Sequence, residues 1–208
     1  NNTIYGTQMK EFPLCRTLMV CDMSSDIFSR KIQVSNFDLI YAGAQKNIGP
    51  AGTTLVIIKD GILGKTGRKL PAMLDYTTHI SSKSMFNTPP VFPIYVSMLT
   101  LEWIKNLGGV SAIEKINQEK ADLLYNEIDG NSLFEGTANK EDRSNMNVCF
   151  LLTDSSKETQ FNEMWHEAGI SGIKGHRSVG GYRASIYNAM PKQSVQVLVG
   201  IMQKLEQK

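Results

Sequence analysis

A turn rich in small residues, flanked by two apolar runs, constrains the fold of this chain more than any other feature. The turn covers residues 41–52, Tyr-Ala-Gly-Ala-Gln-Lys-Asn-Ile-Gly-Pro-Ala-Gly. Residues 37–40 before it are typical of the end of a buried strand, and residues 53–58 after it are typical of the next strand. This succession predicts part of an α/β sheet with its polar chemistry at one edge.

Lys46 is the lysine of this turn, and two interpretations of it stand. Small neighbours let a backbone approach a ligand closely, because no large side chain stands in the way. A partly desolvated lysine there loses its proton more readily and can attack an aldehyde as a nucleophile. The alternative is an ordinary solvated loop lysine. A P-loop is excluded, since Asn47 rather than Ser or Thr follows Lys46.

An acid stands where the preceding apolar run ends. Residues 17–21 form a short continuous apolar run, which predicts a strand buried on both faces, and Asp22 follows it directly. Open α/β sheets place their ligands at the carboxyl ends of strands, so Asp22 is a candidate site residue. The alternative is that Asp22, Ser24 or Ser25 only caps the following turn.

Composition limits the partners that the chain can have. A content of 41% hydrophobic residues is enough for a substantial core. The mixed charges and net charge of +2 give no case for nucleic acid or an anionic membrane surface, and no apolar run approaches the ~20 residues of a membrane span. Three scattered cysteines without a Cys-x-x-Cys spacing indicate reduced thiols in the cytoplasm and no metal site.

The second half of the chain changes to a helical pattern. An apolar stripe starting at Val91 predicts a helix in which Trp103 packs in the core. Gly108-Gly109 breaks this pattern and is the predicted domain boundary. The rest of the chain predicts a small α+β domain. Its predicted elements are a helix from Ser111, a strand at 145–153, a helix at 157–168, a strand after the 175 loop and a final helix from Pro191.

Residues 41–52 resemble the cofactor-lysine segment of the phosphoserine aminotransferases. Three more blocks resemble that family, in the same order and at similar separations: Cys-Asp-Met-Ser-Ser at 21–25, Ser-Met-Phe-Asn-Thr-Pro-Pro at 84–90, and Gly-His-Arg-Ser-Val-Gly-Gly-Tyr-Arg-Ala-Ser-Ile-Tyr-Asn-Ala-Met at 175–190. The resemblance covers essentially the whole chain but only the later part of a family chain. With no initial methionine, it implies a fragment or one ordered piece of a longer polypeptide.

The resemblance implies the α/β architecture of fold-type-I pyridoxal-phosphate-dependent transferases. Residues 1–108 correspond to the C-terminal part of the large cofactor-binding domain, and residues 109–208 to the small C-terminal domain. Pyridoxal phosphate is the implied cofactor, with Lys46 as the Schiff-base lysine and Asp22 as the partner of the ring nitrogen. The other implied cofactor-binding residues are Thr3, Gln45, Asn87 and Thr88.

The family also implies a homodimer with a shared active site. Gln45 contacts the cofactor phosphate, whereas Asn87 and Thr88 reach the phosphate of the neighbouring subunit's cofactor. An amide and a hydroxyl are suitable phosphate donors, although ordinary turn chemistry is the alternative for both residues.

The implied substrates are glutamate and 3-phosphohydroxypyruvate, which give O-phosphoserine and 2-oxoglutarate in serine biosynthesis. In some bacteria a related substrate leads toward pyridoxine. Arg183 is the candidate for the substrate α-carboxylate, because a guanidinium fork matches a carboxylate in two parallel bonds. His176 and Arg177 are candidates for the distal anion, with a surface or interface role as the alternative for Arg177.

Two other functions stay open from the sequence. One is a different reaction on the same fold, such as desulfuration or decarboxylation, which fold alone does not separate. The other is an inactive fragment that only packs or dimerises. The absent part of a family chain holds the glycine-rich phosphate loop and the stacking aromatic residue, so the chain alone is expected to bind cofactor weakly or not at all.

Overall fold

Two three-stranded sheets organise the protein, and each lies in a separate unit of this computed structural model, which describes residues 1–207. We call residues 13–24 and 32–103 the lysine unit, because they contain Lys46. We call residues 1–12, 25–31 and 104–207 the arginine unit, because they contain Arg183. The predicted domain limits, 1–108 and 109–208, stay a prediction.

The sheet of the lysine unit has the order β1-β2-β3, with strands Val20–Asp22, Leu39–Gly43 and Thr54–Ile58. Strands β1 and β2 are parallel, as the long connection between them allows, and β3 returns antiparallel to β2. The antiparallel return follows from the short turn at residues 44–53, because a parallel strand needs a crossover of a dozen or more residues.

Two helices follow this sheet along the chain. Helix α1, Tyr76–Ser81, was missed by the sequence analysis and is capped by Asp75, whose side chain accepts the N–H of Thr77 at 2.9 Å. Helix α2, Val91–Asn106, begins where predicted. The expectation that Trp103 packs in the core is wrong for residues 1–207, since its side chain is 38% exposed. Most apolar side chains of α2 are likewise exposed, including Val91, Phe92, Ile94, Tyr95, Met98, Leu99 and Leu101.

The arginine unit has an antiparallel sheet, β4-β5-β6, packed with three helices. Its strands and helices, in chain order, are α3 Val110–Gly130, β4 Phe134–Gly136, β5 Asn147–Leu152, α4 Glu158–Glu167, β6 Tyr182–Ser185 and α5 Lys192–Glu206. The helices predicted from Ser111, at 157–168 and from Pro191, and the strands predicted at 145–153 and after the 175 loop, agree with this arrangement. Strand β4 was not predicted, because it is too short to show a pattern.

Aromatic side chains fill the core of the arginine unit. The ring of Phe161 lies 5.1 Å from that of Phe134 and 4.9 Å from that of Tyr182, both edge to face. Phe150 stacks on Tyr182 at 5.4 Å. Such pairs contribute about 0.5–1.5 kcal/mol each beyond the burial of their area. The core is therefore closed by side chains of the unit itself.

Two early segments of the chain belong to the arginine unit through buried polar contacts. Asp26 is buried and accepts hydrogen bonds from Gln8 Nε2 at 2.6 Å and from Arg30 Nη2 at 2.8 Å. Asn117 of α3 donates to the carbonyl oxygen of Ser29 at 3.0 Å. Local sequence patterns do not reveal the bonds of Gln8 to Asp26 and of Asn117 to Ser29, because these residues lie 18 and 88 positions apart in the chain.

Candidate functional site

The parallel pair β1–β2 brings two predicted site residues to the same sheet edge. Asp22, the last residue of β1, lies opposite Tyr41 of β2, and Lys46 follows in the turn after β2. Two bonds continue the pairing past the strand ends: Met23 N donates to Tyr41 O at 2.8 Å, and Gly43 N donates to Ser24 Oγ at 3.0 Å. Acid and amine are thus fixed at neighbouring carboxyl ends of one sheet.

The surroundings of Asp22 favour its ionised form. Burial is the largest single influence and acts to raise its pKa. Hydrogen bonds from Ser24 and Tyr41, together with the positive charge of Lys46, outweigh burial and hold the pKa of Asp22 below its ordinary value. The backbone N–H of Ser24 lies 2.8 Å from Asp22 Oδ1. The site therefore presents a carboxylate, which can hold a protonated ring nitrogen.

The turn after β2 winds into a single helical turn that presents Lys46. The N–H groups of Ile48 and Gly49 both donate to the carbonyl of Ala44, at 3.0 and 2.9 Å. Ile48 is buried and anchors the turn, while Lys46 is half-buried and Gln45 is exposed. The lysine amine is thereby held at the sheet edge by a backbone that the core fixes.

The small residues of this turn have a different use from the one expected. A Cβ on Gly49 would lie 2.8 Å from Ser97 Oγ and 3.2 Å from its Cα. Gly52 has a φ of +112°, and a Cβ there would lie 3.1 Å from Pro93. Both glycines therefore make room for helix α2 rather than for a ligand, which corrects the interpretation drawn from the sequence.

The arginine unit brings Arg183 and Thr3 together. Arg183 Nη1 donates to the carbonyl oxygen of Thr3 at 3.0 Å. The Nε of Arg183 is buried without a hydrogen-bond partner among residues 1–207. Cys149 lies opposite Arg183 in the sheet; burial raises the pKa of its thiol, and the charge of Arg183 opposes part of that rise. A guanidinium with an unsatisfied buried donor is suited to a carboxylate.

The two candidates for the distal anion lie in the loop before β6. His176 Nδ1 contacts Ser178 Oγ at 2.6 Å and accepts the backbone N–H of Ser178 at 3.2 Å, which leaves Nε2 as the protonated nitrogen of a neutral ring. His176 is half-buried and Arg177 is exposed. Gly175 is tightly enclosed, because a Cβ there would overlap the carbonyl oxygen of Gly180.

Asn87 and Thr88 lie on an exposed loop of the lysine unit. Asn87 Nδ2 makes a long hydrogen bond of 3.4 Å to the carbonyl of Thr88, and both residues are exposed. No group of three or more His, Cys, Asp or Glu residues suited to a metal ion occurs within residues 1–207.

The partners of Asp22, Tyr41 and Ser24, were not predicted from the sequence. Tyr41 is hydrogen-bonded to Asp22, and the negative charge of that carboxylate raises the pKa of the Tyr41 hydroxyl. The register of β1 and β2 places them side by side, and a parallel pairing cannot be aligned residue by residue from one sequence.

Comparison with known proteins places this geometry in a family. Residues 6–198 match the family described as aminotransferase class-V. The phosphoserine aminotransferase of Flavobacterium psychrophilum is 69% identical over 208 residues, which cover 100% of this chain and 58% of that protein. The chain thus spans little more than half the length of this curated relative. None of the helices within residues 1–207 is long and apolar enough to cross a membrane.

Solved structures agree with the sequence comparison. The phosphoserine aminotransferase from Bacillus circulans subsp. alkalophilus is 42% identical with a TM-score of 0.94, over 100% of this chain and 58% of that one. A phosphoserine aminotransferase from Trichomonas vaginalis, described as bound to PLP, is 36% identical with a TM-score of 0.91, over 98% of this chain and 58% of that one. The predicted fold class, fold-type-I α/β, is confirmed. The chain belongs to the class-V aminotransferase family.

Proposed function

We propose that the protein to which this chain belongs is a phosphoserine aminotransferase. It transfers an amino group from glutamate to 3-phosphohydroxypyruvate and gives O-phosphoserine and 2-oxoglutarate. The observation that carries the proposal is the placement of Asp22, whose surroundings favour its ionised form, and Lys46 at the ends of adjacent strands. The relatives bearing this name, at 56–69% identity among the curated proteins, support the choice of reaction.

Pyridoxal phosphate fits the donor set of the lysine unit. Its ring nitrogen needs an acid that keeps a proton on it, and its aldehyde needs an amine. Asp22, with its lowered pKa, offers the first, and Lys46 offers the second. Gln45 lies beside Lys46 with an exposed amide that can bind the phosphate, and Thr3 stays a candidate cofactor-binding residue. When bound, this cofactor supplies an electron sink for the substrate α-carbon.

Each of the two residues at the sheet edge has a distinct task. The Lys46 amine would hold the cofactor aldehyde, and as a free amine it would carry a proton to and from the substrate α-carbon. The Asp22 carboxylate holds the proton of the ring nitrogen. Ser24 and Tyr41 keep Asp22 ionised by donating to it, so the carboxylate stays an acceptor throughout.

Substrate binding falls to the arginine unit. Arg183 binds the α-carboxylate through two of its N–H groups, because a planar guanidinium matches a planar carboxylate. His176 offers its Nε2–H, and Arg177 its charge, to the distal anion: a phosphate in one half-reaction and a carboxylate in the other. One site can serve both substrates because both carry an anion at that end.

The proposed assembly is a homodimer with a shared active site. Asn87 and Thr88 are exposed, so their amide and hydroxyl can reach the cofactor phosphate of a partner subunit. We propose a cytoplasmic enzyme of serine biosynthesis, which also serves pyridoxine formation where a related phospho-substrate is available.

Covalent trapping tests this function. The longest natural polypeptide that contains this chain is reduced with borohydride in the presence of pyridoxal phosphate, and the labelled peptide is identified by mass spectrometry. We expect the label on Lys46. Lys59, an exposed lysine that pairs with Asp38 in the same unit, is the matched control and should stay unlabelled. A label confined to another lysine contradicts the proposal.

The substrate assignment has its own test. Replacing Arg183 with Ala should weaken glutamate binding by at least ~10²-fold, because it removes a two-bond contact to a carboxylate, and should leave the cofactor absorbance in place. If cofactor is lost instead, Arg183 has a structural role. Cysteine offered as an amino donor, with sulfide release as the readout, separates this reaction from desulfuration.

A further inference from the structure

A tight turn at residues 2–7 is built by its own backbone and one side chain. Asn2 N donates to Thr7 O at 2.7 Å, and Gly6 N donates to Asn2 O at 3.2 Å. The Asn2 side chain accepts from Ile4 N at 2.9 Å and from Tyr5 N at 3.1 Å. These bonds give the 2–7 turn a defined shape and leave the carbonyl groups of Thr3 and Ile4 to accept bonds from outside the turn.

Gly6 seats the 2–7 turn directly on strand β5. Its φ is +70°, which L side chains rarely adopt, and a Cβ there would lie 2.9 Å from both Asn147 O and Cys149 Cβ. The contact leaves no space for one methyl group. Ser144 N also donates to Gly6 O at 2.9 Å, so this residue is held from both sides. The height of the turn above the sheet is therefore set by the absence of a side chain at position 6.

Two carbonyls of the seated turn meet two neighbouring residues of the sheet. Thr3 O accepts from Arg183 Nη1 at 3.0 Å, and Ile4 O accepts from the Cys149 thiol at 3.5 Å. Cys149 and Arg183 lie directly opposite each other in the β5–β6 pair. The carbonyl groups of Thr3 and Ile4 thus accept hydrogen bonds from two residues that lie opposite each other in β5 and β6. One N–H group of the Arg183 guanidinium is therefore bonded to the backbone.

The remaining donors of Arg183 are the ones that matter for a ligand. Its Nε has no partner among residues 1–207 although it is buried, an arrangement that costs free energy until an acceptor satisfies the group. The bond to Thr3 O fixes the plane of the guanidinium without neutralising its charge, because a carbonyl is uncharged. A carboxylate in the same place would neutralise the charge and compete with substrate.

We propose that the 2–7 turn is a carbonyl template that orients the Arg183 guanidinium for the substrate carboxylate, with Gly6 and Cys149 as its positioning residues. The inference rests on the proposed function, since it assumes that Arg183 binds substrate. It adds that binding depends on two residues that touch neither substrate nor cofactor. A guanidinium tilted away from the carboxylate plane loses one of its two parallel bonds.

The test uses Gly6→Ala and Cys149→Val in the longest natural polypeptide that contains the chain. Both add bulk between the turn and β5, so both should lift Thr3 O away from Arg183. We expect the KM for glutamate to rise about tenfold while kcat stays within about twofold, because the interaction lost serves binding. The dissociation constant of glutarate, a dicarboxylate without an amine, should rise by a similar factor, and the cofactor absorbance should stay unchanged.

Two variants control for general damage. Cys149→Ser keeps a donor for Ile4 O in a smaller side chain, so it should retain most of the glutarate affinity. Gly200→Ala adds a methyl group in α5, where no atom lies within 4 Å of the new Cβ, and should change nothing. If Gly6→Ala does not fold, Cys149→Val alone decides the matter.

The outcomes separate this inference from the proposed function. Unchanged glutarate affinity in a folded Cys149→Val protein overturns the template, even if Arg183→Ala abolishes binding. Unchanged affinity in Arg183→Ala overturns the substrate assignment itself. A fall in kcat with loss of cofactor absorbance in Gly6→Ala and Cys149→Val also overturns the template, since the turn then supports the whole site rather than one contact.

Discussion

The lysine unit and the arginine unit differ in how each holds its polar residues. In the lysine unit, Asp22 and Lys46 lie at an open sheet edge, and helix α2 exposes most of its apolar side chains. In the arginine unit, aromatic rings close the core, and buried polar groups such as Asp26 and Lys120 are satisfied within the unit.

This difference separates chemistry from stability. The polar groups of the lysine unit are accessible and depend on a few backbone bonds, so they can be changed with little effect on folding. Those of the arginine unit are tied into the packing, so a change there alters stability as well as binding. The chain's two tryptophans report on the units separately, because Trp103 lies in the lysine unit and Trp165, 8% exposed, lies in the arginine unit.

The largest effect is expected at Lys46. Lys46→Ala should lower the transamination rate of the longest natural polypeptide by at least ~10³-fold, because it removes both the covalent anchor and the proton carrier. The midpoint of urea unfolding followed at Trp103 should stay unchanged. Lys59→Ala, which removes an exposed pair, is the control for both measurements. A large fall in stability would show that the lysine is part of the packing and would break the contrast between the units.

The cores should respond differently to the same change. Phe161→Ala removes a fully buried ring of the arginine unit and should lower its free energy of unfolding by about 3–5 kcal/mol. Phe92→Ala removes a ring of α2 that is 71% exposed and should cost less than about 0.5 kcal/mol in the chain alone. Urea unfolding followed at Trp165 and at Trp103 measures the two values. Equal losses would mean that α2 is covered in solution.

The smallest effect is a pH dependence set by Lys120. Its ammonium is buried in α3 and donates to the carbonyls of Ile186, Tyr187 and Met190 at 2.8–3.0 Å. Burial lowers the pKa of Lys120 to about 8, against 10.5 in an unfolded chain. Between those values the unfolded state binds more protons, so the stability of the arginine unit should rise with pH, by at most ~3 kcal/mol.

The measurement is urea unfolding at Trp165 between pH 8 and pH 10. Lys120→Met keeps the volume and removes the titrating group, so its stability should lack this rise. Burial also raises the pKa values of Tyr125 and Tyr182 above their ordinary value. Above pH 10 these tyrosines therefore ionise more readily in the unfolded chain than in the folded one, so the stability should fall again. A wild-type stability that falls between pH 8 and pH 10 would contradict the assignment.

Sequence patterns predicted most of the regular elements. The strand at 54–58 and the helices beginning near Val91 and Ser111 occur close to where they were expected. The strand predicted from the apolar run at 17–21 is shorter, Val20–Asp22, and within residues 1–207 it is not buried on both faces as predicted, since Val20 is 56% exposed. Helix α3 follows periodic burial, which one sequence records directly, whereas α2 leaves most of its apolar side chains exposed. Strand β4 and helix α1 were missed because each is too short for a pattern to emerge.

The candidate site was less predictable, for a physical reason. Lys46 and Asp22 could be singled out because each follows an apolar run, but Tyr41 became visible as a partner only through the strand register. The contact between Thr3 and Arg183 joins residues 180 positions apart. The sequence indicated that Gly49 lets the backbone approach a ligand, whereas in the structure a side chain at Gly49 would collide with helix α2. Local composition cannot distinguish these two reasons for a glycine.

The discontinuous make-up of the arginine unit has a consequence during protein synthesis. Residues 1–12 and 25–31 leave the ribosome before the lysine unit is finished, yet their packing partners begin at residue 104. At about 5–20 residues per second, roughly 5–20 seconds separate the synthesis of residue 12 from that of residue 104, where the rest of their core begins. Gln8, Asp26 and Arg30 bond to one another within these early segments and need no later residue, whereas the bond from Asn117 to Ser29 forms only after the chain has passed residue 104.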